Sequence, residues 1–255
     1  MIVRKSMAEL EKMRAAGLLV WKILEELRGM VGEGVSTYDL EVRAEKMMQD
    51  AGAKSAFKGY STASAGKYPA VLCTSVNEEI VHGMPSPSKI LKKGDIVSID
   101  TGVQLQGYFG DSAITVGVGE ISAEAQKLMD VTRESLELAI EKARPGNRLF
   151  DICGTVERHV TSNGFSIVRE FVGHGIGTAL HEEPQVPNYV DRRGENPRLK
   201  EGMVLAIEPM VNAGKPGSRV KADKWTAVTE DGRASAHFEH TVAITANGPW
   251  VLTRP

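Results

Sequence analysis

The apolar positions near the start of the chain recur at helical spacing. Ser6, followed three residues later by Glu9, is a capping box, and apolar residues from Leu10 to Leu24 continue the pattern to about Arg28. Similar spacing, with a cap residue at the start and glycine or Pro-Gly at the end, predicts three further helices over residues 36–52, 122–146 and 149–163.

Apolar runs between these helices predict strands. Residues 70–76 (AVLCTSV) are typical of a buried strand. Residues 95–103 and 109–118 are predicted to be neighbouring antiparallel strands, separated by the segment QLQGY. Strand-rich sequence follows the fourth helix to the end, and no low-complexity linker interrupts it. The pattern predicts a mixed α/β (α+β) protein in which helices flank an antiparallel sheet.

Two stretches of the chain repeat each other, and each ends on an acid. Residues 91–100 (LKKGDIVSID) match residues 199–208 (LKEGMVLAIE) at an offset of 108, so Asp100 falls on Glu208. Asp111 in FGDSAITV likewise corresponds to Glu239 in HFEHTVAI, since each acid lies just before an apolar run. The helical stretches repeat at an offset of 112, through the pairs Gly34/Gly146, Asp39/Asp151, Glu45/Glu157 and Gly52/Gly164. We therefore predict a single domain over residues 1–255, made of two pseudo-symmetric halves, about 1–118 and 119–255.

The two halves differ mainly over residues 212–236, where the second carries about 20 extra residues, since the second offset is 128 rather than 108. This segment includes Trp225. An insertion in one half of a symmetric fold is a natural place for substrate recognition, and a plain surface loop is the alternative.

Composition narrows the class of protein. A net charge of −2 gives no electrostatic case for binding nucleic acid or an anionic membrane. No run approaches 18 apolar residues, and the N-terminus carries a charged helix where a signal peptide has an apolar core. Only Cys73 and Cys153 are present, without a CxxC motif, which suits a reducing cytosol. We expect a cytoplasmic protein without a membrane segment.

Four acids brought together by pseudo-symmetry repel one another unless cations lie between them. An isolated aspartate at the end of a strand, such as Asp100, is more typical of a turn than of a metal site. Its match with Glu208 in the second half favours a role as a metal ligand. His174, in the glycine-rich segment FVGHGIG, can be structural or can add one nitrogen to the four carboxylates. Such an oxygen-rich set suits a pair of divalent first-row ions and is poor for structural zinc.

Two further histidines lie in motifs followed by turn residues, His82 in NEEIVHGMP and His181 in ALHEEPQVP. Each can cap a loop. Beside a carboxylate cluster, we favour roles as hydrogen-bond donors or proton carriers.

In this order and spacing, the motifs resemble those of type I methionine aminopeptidase. The resemblance runs from about residue 70 to the end through NEEIVHGMP, IDTGV…GD, GHGIGTALHEEPQVP, GMVLAIEPM and SAHFEHTVAIT. It implies the pseudo-symmetric pita-bread fold of peptidase family M24. The short distances from His174 to Glu208 and from there to Glu239 leave no room for the type II insertion, so the chain is similar to the minimal bacterial type.

The resemblance implies a dinuclear metal site. Its ligands are expected to be Asp100, Asp111, His174, Glu208 and Glu239, with Asp111 and Glu239 shared by both ions. The identity of the two divalent ions stays open among cobalt, zinc, manganese and iron.

The implied reaction removes the N-terminal methionine from nascent proteins whose second residue is small, by attack of a water shared between the metals. Glu208 is expected to accept a proton from that water, His181 to stabilise the oxyanion, and His82 to contact the scissile amide or help protonate its nitrogen. The expected partners are nascent polypeptide N-termini. We expect a monomer, and contact with the ribosome stays open.

Candidates for the methionine pocket are Tyr60, Tyr68, Cys73 and Trp225, each of which can equally be plain core. The segment GYSTASAGKYP is longer than its counterpart in many members, so either tyrosine can be the pocket tyrosine. Leu180 stands where some members place an aromatic residue.

Two other functions are compatible with the same fold. One is hydrolysis of X-Pro bonds with the metals kept and the pocket changed. The other is a non-catalytic binding protein, which we disfavour because such proteins lose metal ligands and all five are present here.

Overall fold

The computed structural model describes residues 1–62 and 65–255. Ala63 and Ser64, which belong to the long segment GYSTASAGKYP, lie outside the described residues. The helices in the described part are α1 (Met7–Met30), α2 (Thr37–Asp50), α3 (Ala123–Ile140) and α4 (Leu149–Ser162). None of these helices has the length and apolar character needed to span a bilayer.

The strands form one large curved sheet and three small ones. In chain order they are β1 (Lys54–Ser55), β2 (Ser61–Thr62), β3 (Gly66–Lys67), β4 (Cys73–Val76), β5 (Glu79–Val81), β6 (Ile96–Leu105), β7 (Tyr108–Gly117), β8 (Ser166–Ile167), β9 (Gly173–Gly175), β10 (Glu182–Val186), β11 (Val204–Ile207), β12 (Met210–Asn212), β13 (Ser218–Val220), β14 (Ala227–Thr229), β15 (Ser235–His237), β16 (Glu239–Thr245) and β17 (Gly248–Val251).

The predicted starts of the helices are confirmed by their caps. The Ser6 side chain accepts from the Glu9 N–H while the Glu9 carboxylate accepts from the Ser6 N–H, and Ser36 and Asp39 repeat this capping box at α2. The predicted end of the third helix is wrong. It stops at Ile140, and the following residues turn through short i→i−3 bonds, because Pro145 disfavours helical conformation in the residue before it.

The central hairpin β6–β7 is longer than predicted. The two strands pair antiparallel along their whole length, from Ile96↔Gly117 to Leu105↔Tyr108. Only Gln106 and Gly107 remain in the turn, and both have positive φ (52° and 84°), as a type I′ turn requires. Such a turn twists in the same sense as the strands, so most of the segment QLQGY joins the ladder.

The main sheet displays the duplication. Its strand order is β1-β6-β7-β16-β11-β9-β10, with β4 on β6 and β17 on β16, and all its pairings are antiparallel. Strands β7 and β16 pair at Ala113↔Glu239 and Ser112↔His240, where the two halves meet. The repeated glycines share positive φ, as in the pairs Gly34/Gly146, Gly52/Gly164 and Gly94/Gly202. The described residues therefore have the mixed α/β, duplicated antiparallel architecture that the sequence predicts.

Helix α1 packs directly on β6 and β7. Gly17 allows α1 to pack closely on the segment that follows β17, because a Cβ at that position would overlap the carbonyl of Leu252 and lie 3.3 Å from Thr253 Cγ2. Gly110, on β7, faces the backbone of Ala16 and Gly17 at similarly short range. The close packing of α1 on its neighbours thus depends on Gly17 and Gly110, two positions that carry no side chain.

We predict that Gly17→Ala destabilises the protein by about 1–3 kcal/mol, because the added methyl group forces α1 away from the segment that contains Leu252 and Thr253. Gly29→Ala is the matched control on the same helix, since a Cβ there meets nothing within 4 Å. Alanine should be neutral or stabilising at that exposed position. Urea unfolding of the three proteins measures the difference, and equal stability for the two variants would contradict the packing described.

Candidate metal centre

The first two acids are carried by the central hairpin. Asp100 on β6 lies opposite Cys73 of β4 and Ala113 of β7, and Asp111 on β7 lies opposite Gly102. A Cβ on Gly102 would come 3.0 Å from Asp111 Oδ1 and 2.9 Å from Ala56 Cβ. Glycine at position 102 therefore leaves the space that the Asp111 carboxylate occupies.

The other acids and the histidine come from the second half. Glu208 directly follows β11, and Glu239 begins β16 opposite Ala113. His174 lies on β9, paired with Ala206 of β11. The structure therefore brings all five residues expected as ligands to the middle of the main sheet, where they line one cavity.

Among the described residues, the buried carboxylate oxygens here lack protein partners. Asp100 Oδ1, Asp111 Oδ1 and Glu239 Oε1 are inaccessible and accept no hydrogen bond. Asp111 and Glu239 are 4% and 2% exposed, so water does not compensate them from outside. An unsatisfied buried acceptor of this kind is costly, and three in one cluster indicate a site that fits a cation.

The donor atoms are spaced as one ion requires. Ligand atoms of Asp111, His174 and Glu239 all lie within 4.8 Å of one another. His174 Nε2 is 4.0 Å from Asp111 Oδ2 and 3.6 Å from Glu208 Oε1, both beyond hydrogen-bond length. Oxygen and nitrogen ligands of a first-row ion lie roughly 3–3.5 Å apart, since each is about 2.1 Å from the metal. The residues present therefore fit a divalent ion.

Burial raises the pKa of every carboxyl in the cluster. It raises the pKa of Asp111 to about 7, and it raises the pKa of Asp100, Glu208 and Glu239 well above their usual values. The charges of neighbouring acids add to this rise for Asp100, Glu208 and Glu239. A bound cation would lower these pKa values again, because it favours the ionised form of each carboxyl group.

His174 is prepared as a metal ligand. Burial, and then the neighbouring His181, lower the pKa of His174 to about 3, so the ring is neutral. Its Nδ1 lies 2.8 Å from the carbonyl of Gly175 and therefore carries the hydrogen. The lone pair is left on Nε2, which faces Asp111 and Glu208.

His181 lies beside His174, with ring centroids 4.3 Å apart. Its Nδ1 is 3.0 Å from the Tyr60 hydroxyl, which packs edge-on against the ring. Burial lowers the pKa of His181, so the neutral ring predominates. Tyr60, one of the two tyrosines that the sequence offers as the pocket tyrosine, thus contacts His181.

His82 lies on the other side of the cavity. Its φ of 60° is unusual for a residue with a side chain, and its ring packs edge-on against Phe171 at 5.4 Å. Burial, and then the neighbouring His181, lower the pKa of His82 to about 4. The strained backbone conformation projects a neutral imidazole into the cavity.

The apolar end of the cavity is formed by Tyr68, Cys73 and Trp225 together with Phe57. Tyr68 and Trp225 pack edge-on with ring centroids 5.1 Å apart. The Tyr68 hydroxyl donates to the carbonyls of Leu72 and Gly83, which fixes the ring. Both tyrosines left as alternatives by the sequence line the cavity, whose volume is about 280 Å³. Leu180 also lines it.

The insertion of the second half forms one wall of this cavity. It folds as the hairpin β13–β14, which pairs with β5 just before His82. Lys221, beside β13, forms a 2.8 Å ion pair with the buried Glu79 of β5. The segment therefore places Trp225 beside Tyr68. This position favours a role of the insertion in substrate recognition over that of a plain surface loop.

Several residues of the cavity were not predicted from the sequence, and His237 is the most important of them because it lies beside Glu208. It is buried, and its Nε2 lies 3.6 Å from Glu208 Oε2. The available signal was its position two residues before Glu239, since alternate residues of an extended segment share a face. Phe57, Phe171 and Met210 also line the cavity, but their local sequence carried no such signal.

Comparison with known proteins places these features in a family. The sequence profile of Metallopeptidase family M24 matches residues 11–246. The chain is 50% identical over 254 residues to methionine aminopeptidase 1 of Bacillus subtilis, with all of both chains covered. It is 49% identical over 253 residues to the methionine aminopeptidase of Clostridium acetobutylicum, with 99% of each chain covered.

Solved structures agree. The crystal structure of methionine aminopeptidase from Thermotoga maritima superposes with a TM-score of 0.95 at 46% identity, covering 100% of both chains. The prolidase from Pyrococcus horikoshii has a TM-score of 0.77 at 24% identity, and 63% of its chain is covered, so it shares the fold alone. The chain therefore belongs to metallopeptidase family M24 and, within it, to the methionine aminopeptidases.

Proposed function

We propose that this protein removes the N-terminal methionine from nascent proteins whose second residue is small. The observation that carries this function is the juxtaposition in one cavity of unpartnered buried carboxylates and an apolar pocket. The carboxylates need a cation, and the pocket offers aromatic edges to a thioether. A metal-dependent peptidase selective for methionine requires both.

We assign Asp100, Asp111, His174, Glu208 and Glu239 as the residues that would hold two divalent ions. Bound ions of this kind polarise a carbonyl and lower the pKa of a water molecule to near neutrality. The oxygen-rich donor set accepts cobalt, zinc, manganese or iron.

Glu208 is the residue that we assign to accept a proton from the attacking water. Its carboxylate lies at the edge of the ligand cluster, 3.6 Å from His174 Nε2, and it is less buried than Glu239. Its partial exposure lets its carboxylate reach a water molecule in the cavity and accept a proton from it.

His181 is placed to stabilise the oxyanion. When the Tyr60 hydroxyl donates to His181 Nδ1, the ring hydrogen must lie on Nε2, which is then free to donate into the cavity. Tyr60 thereby fixes both the tautomer and the orientation of the ring. This arrangement supplies a preorganised donor for negative charge that develops on the scissile carbonyl.

His82 contacts the scissile amide in this proposal. Its ring is held between Phe171 and Trp225, with centroids 5.4 and 6.4 Å away. A neutral imidazole at that position donates a hydrogen bond toward the substrate, and it can help protonate the leaving nitrogen.

Methionine selectivity comes from Tyr68, Cys73 and Trp225, with Tyr60 nearer the mouth, where it is 39% exposed. Burial and the charge of Asp100 raise the pKa of the Cys73 thiol, so it stays protonated and acts as a small apolar wall. A flexible unbranched thioether suits this aromatic and sulfur lining.

We further propose that residues 1–255 act as one catalytic domain, as a monomer in the cytoplasm, on nascent polypeptide N-termini. Contact with the ribosome is left open. Two buried free cysteines support a reducing compartment.

The metal assignment predicts that Asp111→Asn removes a ligand charge, so the protein should hold fewer ions and activity should fall by orders of magnitude. Elemental analysis and release of methionine from Met-Ala-Ser measure both effects. Asp50→Asn, at an exposed position far from the cavity, is the control. Near-normal turnover of the Asp111 variant with two bound ions would remove Asp111 from the site.

The pocket predicts selectivity for the second substrate residue, which must pass close to His181 and the carboxylates. Peptides that begin Met-Gly, Met-Ala or Met-Ser should be cleaved, whereas Met-Lys and Met-Phe should be poor substrates because their side chains clash with the wall. An X-Pro peptide included in the same assay tests the alternative specificity. Equal rates across the methionine peptides, or preference for X-Pro, would overturn this selectivity.

The division of roles between the two histidines predicts different kinetics. His181→Ala should lower kcat by about 10²–10³ with little change in KM, since oxyanion stabilisation acts only in the transition state. His82→Ala should also lower kcat, but methionine joined to an aromatic amine should partly rescue it, because this leaving group needs less protonation. The ratio of peptide to activated-substrate rates, at equal metal content, separates them. The same ratio in both variants as in the unaltered protein would show the division to be wrong.

A further inference from the structure

His237 is a buried histidine that the proposed reaction does not use. It ends strand β15, opposite Met210 of β12, and is 2% exposed. Its backbone is fixed on both sides by Thr115, whose hydroxyl accepts from the His237 N–H at 3.0 Å and donates to its carbonyl at 2.7 Å. Only the side-chain torsion angles of His237 remain free, so the imidazole can adopt few orientations.

The imidazole points at Glu208. His237 Nε2 is inaccessible and has no hydrogen-bond partner among the described residues, while Glu208 Oε2 lies 3.6 Å away. The other carboxylate oxygen, Oε1, lies 3.6 Å from His174 Nε2. Glu208 is therefore bracketed by two histidines, one on each oxygen.

The two histidines are not equivalent. His174 shares the compact group of ligand atoms with Asp111 and Glu239, whereas His237 belongs to no such group in the described part of the chain. An ionised carboxylate only accepts hydrogen bonds, and a neutral imidazole carries one N–H. A shift of about 0.5 Å brings the His237–Glu208 pair into hydrogen-bond range. The chemistry that satisfies both groups is donation from Nε2–H to Oε2.

We propose that His237 is a positioning residue for Glu208. Its Nε2–H donates to Glu208 Oε2 and holds the carboxylate so that Oε1 faces His174 and the ligand cluster. This inference rests on the proposed function, because it gives Glu208 the roles of ligand and proton acceptor. A partner that orients a ligating carboxylate affects metal affinity as well as turnover, and loss of such a partner commonly costs about 10- to 100-fold in either.

The test compares two amides of different length at position 237. Gln carries an NH₂ donor on a longer side chain that reaches toward Glu208, whereas the shorter Asn leaves the same donor out of reach. Manganese(II) binding by each metal-free full-length protein is measured by titration calorimetry, and the visible spectrum of the cobalt(II) form reports the ligand geometry. Thermal melting of the metal-free proteins verifies that each variant is folded.

We expect His237→Asn to weaken manganese binding by about 10- to 100-fold and to change the cobalt spectrum, with His237→Gln close to the unaltered protein. His240→Gln is the matched control. That ring is half-buried and neutral, but its Nδ1 contacts Thr253 and Ser112 rather than Glu208. It should bind manganese normally.

Two results would overturn the inference. One is manganese affinity and a cobalt spectrum in His237→Asn equal to those of the unaltered protein. The other is equal loss in the Asn and Gln variants, which would show that only the imidazole shape matters. If the unaltered protein itself bound neither manganese nor cobalt, the proposed function would fail instead, so the two failures are distinguishable.

Discussion

Four carboxylates are buried side by side in the middle of the main sheet, and the rest of the structure follows from this constraint. Burial raises the pKa of each group, repulsion between neighbouring acids adds to this rise for Asp100, Glu208 and Glu239, and three of the carboxylate oxygens have no hydrogen-bond partner among the described residues. A fold tolerates such a cluster only if cations neutralise it. Duplication supplies the geometry, because each half contributes two acids at equivalent points of paired strands.

Symmetry provides the metal site, and departures from symmetry provide the chemistry around it. Only the second half carries His174 at the cluster and the hairpin β13–β14 with Trp225. The hairpin is fastened by the Lys221–Glu79 ion pair, so the wall of the methionine pocket and the strand before His82 are held together. In the proposed function, recognition of the side chain and orientation of the scissile bond therefore both depend on this small sheet.

Much of the fold and the metal cluster was predictable from the sequence, because both rest on local signals. Capping boxes marked the helix starts, and the repeat aligned Asp100 with Glu208. The length of the β6–β7 hairpin was missed because Gln106 adopts positive φ without the usual Asn or Asp signal. His237 was missed because its importance lies in a contact with Glu208, distant in sequence, which only the folded chain creates.

The central claim is that divalent ions held by the buried carboxylates are required for methionine release. The most direct measurement is hydrolysis of Met-Ala-Ser by protein freed of metal by chelation, followed by addition of manganese, iron, cobalt or zinc one at a time. The account predicts no release from the metal-free protein and recovery with at least one ion, to a level that saturates at two ions per chain. Full activity in protein verified to contain no metal would contradict it.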